Sequence, residues 1–199
     1  MQRQTKIRSV EWKVKYARAP ASLSSSDLLL LQIPDPSLIL LIGPSGAGKS
    51  TFAARHFKQT EIISSDRCRA MVCDDESDQS FNGAAFGLLH HIARVRLAAR
   101  RLAVIDATNL ETRARRRLLR IASDNGVPPV AIAFNVPLKK CLERNLARFE
   151  RVVDEDVIAL HAARFEWAIA RLRLEGYVRV YVLDEANLND AVIERIRGK

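Results

Sequence analysis

A chain of 199 residues with 48% hydrophobic and 28% charged side chains has the size and balance of one large folded unit, and wholesale disorder is excluded. The longest apolar runs, residues 28–31 and 38–42, are far too short to span a bilayer; three cysteines and four histidines without ligand spacing point to neither a disulfide framework nor a metal cluster. The formal net charge of +9, carried mostly by arginine, suits a phosphate-rich partner such as nucleic acid, although solvated basic faces produce the same total.

In chain order, residues 1–27 read as a basic extension. They lack the continuous apolar stretch of a signal peptide, so the expected compartment is the cytoplasm and no membrane partner is expected. Within the extension Trp12, Val14 and Tyr16 alternate with Lys13 and Lys15, as in a short strand. SLSSSD at 22–27 then reads as a linker. Strands are expected at 28–33, 38–42, 61–65, 102–106, 130–136 and 177–183, and helices at 49–58, 82–100, 111–124, 137–149, 154–174 and 187–197. Strands that are apolar throughout require a sheet covered on both faces. The expected fold is α/β: a doubly wound, mostly parallel sheet with helices on both sides and ligands at the carboxyl ends of its strands. The acidic DDESD at 74–78 reads as a solvated loop.

The strongest motif is GPSGAGKST at 43–51, a G-x-x-x-x-G-K-[ST] phosphate cradle placed between a strand and a helix. It makes the domain a P-loop NTPase, with phosphate contacts expected from Gly43, Ser45, Gly46, Ala47, Gly48, Lys49, Ser50 and Thr51. Gly46 and Gly48 let successive N–H groups face the phosphates, and the positive end of the helix dipole adds to that field. Lys49 supplies a point charge between the β and γ phosphates, and Ser50 a hydroxyl for Mg²⁺. Asp106 ends the strand RLAVID. It either orients Mg²⁺ or its waters, or begins the next turn and caps neighbouring amides together with Thr108 and Asn109.

IISSDRCR at 62–69 ends an apolar strand in a carboxylate, Asp66, with Arg67 and Arg69 behind it. The residues alone leave two readings, a catalytic acid at the ligand edge of the sheet or half of a salt bridge. Arg144, Arg148 and Arg151 are spaced four and three apart, hence on one face of a continuous helix. They either close over a triphosphate or form a solvated face paired with Glu143 and Glu150. The run RARRR at 113–117 reads mainly as a solvated face, with a groove for an acceptor strand as the other option.

Together GPSGAGKST, SSDRCR, the DDESDQ and GAAF segments within 74–86, VIDATN at 104–109 and ERNLARFER at 143–151 resemble the 5′-kinase module of bacterial polynucleotide kinase-phosphatases. That is the RNA end-healing and repair family, and the module is similar to phage polynucleotide 5′-kinase. The likeness covers residues 28–199. It implies a nucleotide kinase-like domain with an arginine-bearing lid near 137–174, using ATP and Mg²⁺ to phosphorylate a 5′-hydroxyl of RNA or DNA. By this resemblance Lys49 and Ser50 hold the ATP phosphates and Mg²⁺, Asp66 is the general base, and Arg69 engages the acceptor's phosphate. Arg144 and Arg148 are then the lid arginines on the ATP phosphates, and Arg151 the one near the base. Relatives often continue into phosphatase and ligase modules, so such activities are expected only from other chains or a longer one. The extension with Trp12 and Tyr16 has no counterpart in the family; an edge strand or tail is expected before a nucleic-acid arm. Two rivals stay open, a P-loop kinase of a small-molecule hydroxyl and an ATP-binding regulatory protein that transfers nothing.

Overall fold

The computed structural model describes residues 29–147 and 152–197, together with the backbone of residues 15–17. Trp12, the SLSSSD linker, Arg148 and Arg151 lie outside the described residues.

The central sheet has the order β1–β7–β6–β3–β5–β4. Its strands are β1 (Lys15–Ala17), β3 (Leu38–Ile42), β4 (Ile62–Ser64), β5 (Ala103–Asp106), β6 (Pro129–Asn135) and β7 (Arg179–Asp184). Every neighbouring pair is parallel. The alternating Lys-Tyr segment of the extension thus joins as an edge strand, Lys15 opposite Arg179. The strand β3 is fully buried over its whole length, because its two sets of side chains feed two cores. Leu38, Leu40 and Ile42 pack with Leu89, Leu97, Leu118, Ile121 and Phe165 from α3 (Asn82–Ala98), α4 (Thr112–Asp124) and α6 (Glu155–Leu172). Ile39 and Leu41 pack on the opposite face with Phe52 and Ala53 of α1 (Lys49–His56), Cys141 of α5 (Leu138–Leu146), and Leu31 and Ile33. The continuous apolar run in the sequence is therefore the signature of a two-sided strand. No helix among the described residues is long and apolar enough to cross a membrane.

Two expected elements change. The helix expected at 187–197 is instead β8 (Ala191–Arg197), which pairs in parallel with β2 (Leu29–Asp35), Leu29 opposite Ala191 and Asp35 opposite Arg197. The expected strand at 28–33 accordingly belongs to this two-stranded sheet, not to the central one. Asp184 and Asn187 close a turn by exchanging side-chain and backbone hydrogen bonds, and the following AVIERIR carries three β-branched residues that suit a strand. Arg195 then reaches back to Glu61 with two bonds of 2.8 and 2.6 Å. The other change follows β4. The chain does not continue as a strand through Ser65 but turns into α2 (Ser65–Cys73), whose N-cap Ser64 accepts a hydrogen bond from the Arg67 N–H.

The run at 113–117 is also divided. Arg115 is wholly buried, its guanidinium bonded to Glu175 and to the carbonyls of Asn109 and Leu110, so it fastens α4 to the loop after β5. Its neighbours Arg113, Arg116 and Arg117 are exposed.

Candidate active site

The chain leaves β3 at Ile42 and curls through Gly43–Gly48 into α1. Gly46 and Gly48 have φ of +80° and +92°, a left-handed backbone that glycine reaches without the clash a Cβ brings. A Cβ on Gly46 would also run into the carbonyl of Cys141, which means α5 rests directly on the loop. Gly48 is the N-cap of α1 and offers no side chain to its first N–H groups, leaving them for an anion. Lys49 is buried, and its ammonium folds back onto the loop's own carbonyls at Gly43 (3.0 Å) and Pro44 (2.7 Å).

A cleft of about 450 Å³ opens beside this loop, and Ser45, Lys49, Ser50, Asp66, Arg69 and Asp106 all line it. Residues from the first turn of α1, the first turns of α2 and the end of β5 thus meet in one cavity. Parallel pairing explains the meeting: Asp106 stands opposite Ser64 and Leu41 in the sheet, so the acids leave neighbouring strands at the same edge.

Asp66 lies one residue into α2, not on the strand itself, and its side chain is 44% exposed toward the cleft. Both readings of this acid hold together, since it accepts a 2.8 Å hydrogen bond from Arg69 while facing the cavity. Arg69 is 3% exposed. Its Nε and Nη2 donate to Asn82 Oδ1, and its Nη1 to Asp66 and to the Glu76 carbonyl, so four of about five guanidinium N–H groups are engaged. The guanidinium therefore sets the direction of the Asp66 carboxylate. It also pins the acidic segment, which is folded and not merely solvated: Asp75 accepts from Ser77, and Asp78 from Ser80. Ser77 and Gln79 of that segment complete the cleft wall. Arg67 faces solvent.

Asp106 is 7% exposed. The turn after it is organised by Asn109, at φ +50°, whose amide donates to the carbonyls of Leu41 (2.7 Å) and Ala107 (3.3 Å), while Thr108 accepts from the Gly43 N–H. The loop after β5 is thereby tied to the start of the phosphate loop. No group of three His, Cys, Asp or Glu residues among the described residues forms a metal cluster. Mg²⁺ does not need one, since it keeps waters and phosphate oxygens and takes one or two protein oxygens; Ser50 and Asp106 lining one cavity fit that demand.

On the other flank of the loop a smaller cavity of about 250 Å³ is lined by Gly48, Thr51, Arg55, Arg144, Leu188 and Asn189. Arg144 is the described member of the expected lid arginines, and its Nη1 lies 3.4 Å from the Ala47 carbonyl.

One contact escaped the sequence. His161 of α6 lines the large cleft, and its Nδ1 is 3.2 Å from the Ser45 hydroxyl. Burial, then the charges of Lys49 and Arg164, lower its pKa, so the ring is neutral at the phosphate loop. A single histidine on a helix carries no spacing signal, which is why it could not be distinguished from the other three.

The strand order β4–β5–β3–β6–β7 with a glycine-rich phosphate loop after its central strand defines a P-loop domain of kinase type. A family model described as an AAA domain (AAA_33) matches residues 38–174, and the chain belongs to that family. No curated protein matches the sequence significantly. Among solved structures, the chain is similar to one in the Pnkp1/Rnl/Hen1 RNA repair complex, with a TM-score of 0.61 and 20% identity over 76% of this chain and 49% of that one. It is also similar to a chain of the PezAT chromosomal toxin–antitoxin system of Streptococcus pneumoniae, with a TM-score of 0.56 and 17% identity over 85% and 73% of the two chains. A protein from Chloroflexus aurantiacus J-10-fl, whose kinase assignment is provisional, aligns with a TM-score of 0.53 and 20% identity over 76% and 86%. The chain spans about half the length of the RNA-repair chain it matches. At these identities the likeness establishes the fold.

Proposed function

We propose that this chain is an ATP-dependent kinase of polynucleotide 5′-hydroxyl ends. The observation that carries the reading is the shared cleft: Asp66, aimed by Arg69, lines the same cavity as Lys49, Ser50 and Asp106. The 5′-oxygen attacks the γ-phosphorus, its proton passes to the Asp66 carboxylate, and the bond to the bridging oxygen of ADP breaks. Lys49 and the first-turn N–H groups of α1 stabilise the charge that accumulates on the phosphoryl oxygens. Ser50 and Asp106, which line the same cavity, would hold Mg²⁺, whose chemistry there would be neutralisation of phosphate charge. Arg144, beside the loop at the Ala47 carbonyl, is assigned to the ATP phosphates, and the family resemblance assigns Arg148 to the phosphates and Arg151 to the base. The α5–α6 segment, near 137–174, acts as the lid of a domain covering residues 28–199, and residues 1–27 are its extension. The formal charge of +9 and the fold shared with a chain of an RNA repair complex support a nucleic-acid acceptor.

A second reading is favoured by the engagement of Arg69, which keeps only about one N–H for an acceptor phosphate. It is a kinase of a small hydroxyl compound. The test is transfer from γ-labelled ATP to matched 5′-OH RNA, 5′-OH DNA and mononucleotide acceptors at two salt concentrations. Labelling of strands that weakens steeply with salt is the expected result; labelling of none of them ends the polynucleotide reading.

A further inference from the structure

A groove of about 430 Å³ runs between α3 and the start of α4, lined by Asn82, Phe86 and His90 on one side and by Glu111, Arg113, Ala114 and Arg117 on the other. No step of the phosphoryl transfer uses it. Asn82 and Phe86 also line the large cleft, so the groove continues directly from the acceptor side of the active site. Its volume lies within the range of about 300–1,000 Å³ typical of ligand pockets.

We infer that this groove holds the second nucleotide of the acceptor strand, the one 3′ of the end being phosphorylated, with its base against Phe86 and its phosphate on Arg113 and Arg117. The inference rests on the polynucleotide reading above. Phe86 is half-buried, its ring 6.2 Å from that of His90, and an aromatic face accepts any base. Arg113 and Arg117 are four residues apart on one helix face, both exposed. Neither enters an ion pair among the described residues. The carboxylate at the rim, Glu111, is already paired with Arg164 at 2.9 Å, which leaves the two guanidiniums as the dominant charge. His90 is 8% exposed, and its Nε2 has no hydrogen-bond partner among the described residues. An apolar floor and two exposed cations that form no ion pair among the described residues together match a nucleotide more closely than a protein segment or a neutral metabolite.

The test compares kcat/KM for a nucleoside 3′-monophosphate and for a 5′-OH trinucleotide in the wild-type chain, in an Arg113→Ala/Arg117→Ala double variant, in Phe86→Ala, and in an Arg116→Ala/Arg120→Ala double variant that removes equal charge elsewhere on α4. The wild-type chain should prefer the trinucleotide. That preference should fall about tenfold in the 113/117 variant, with a salt dependence shallower by about one to two ions. Phe86→Ala should lower it by at least about fivefold, and the 116/120 variant should keep it. If strands are labelled but the 113/117 variant keeps the full preference, or loses no more than the 116/120 variant, the groove assignment is overturned while the kinase reading stands. If the wild-type chain labels no strand at all, both fall.

Discussion

The two flanks of the phosphate loop are built on different principles. The nucleotide flank is almost one segment: Gly43–Thr51 brings the cradle, the lysine and the hydroxyls, α1 continues it with Phe52 and Arg55, and among the described residues the cavity takes Arg144, Leu188 and Asn189 from elsewhere. The acceptor flank is assembled from the start of α2, the acidic segment, α3, the end of β5 and α6. Ionic and amide tethers hold it together, Arg69 joining Asp66, Asn82 and the Glu76 carbonyl, and Asn109 joining β5 to β3. A contiguous cradle specifies that phosphate is bound, whereas an assembled wall is, on the proposed reading, where an acceptor is chosen.

Substitutions should separate the flanks. Lys49→Ala removes the charge both share, and transfer from γ-labelled ATP to any acceptor should fall by at least about 10³-fold. Asp66→Asn touches the acceptor flank alone; turnover should fall by about 10²-fold while equilibrium ATP binding stays at the wild-type level. Weakened ATP binding in this variant would contradict the separation.

Smaller effects concern stability. Burial by itself would raise the Glu61 carboxyl, but the Arg195 bonds and the Lys58 N–H bring its pKa below the ordinary value. The pair therefore stabilises the fold above the unfolded carboxyl's value, and the contribution is lost as pH falls through the lower folded one. Glu61→Gln should lower stability by about 2 kcal/mol at pH 7 and flatten the acid limb of thermal unfolding recorded against pH. The smallest change is expected for His161→Gln. Because burial, Lys49 and Arg164 lower its pKa, the unfolded chain takes up that proton first, and stability declines as pH drops below about 6.5. The variant should lose part of that decline in Tm between neutral and mildly acidic pH, with turnover at pH 7 changed by less than about threefold; an unchanged pH slope would remove His161 from the account.

The nucleotide flank was legible because its chemistry sits at fixed offsets along the chain, and the central strands because a two-sided strand is apolar without alternation. Asp106 was legible as an acid at a strand end for the same topological reason. What the sequence hid was relational. The segment 191–197 joins charged residues at helical spacing with β-branched residues, and the hydrogen bonds that make it a strand come from β2, some 160 positions earlier by its register. Arg115 looked like one of several solvated arginines until its partner Glu175 arrived from the turn after α6. The short α2 offers too few turns for a period to show, so Asp66 read as the tip of a strand when it belongs to a helix's first turn.

The missing Cβ of Gly46 sets a length. With α5 resting on the phosphate loop at the Cys141 carbonyl, Arg144 stands about one helical turn farther along, and its reach to the Ala47 carbonyl is measured from that contact. The loop serves as the zero mark of a ruler along which the arginine is placed. A methyl group at residue 46 would act as a shim, displacing the arginine while leaving its sequence, its helix and its charge unaltered.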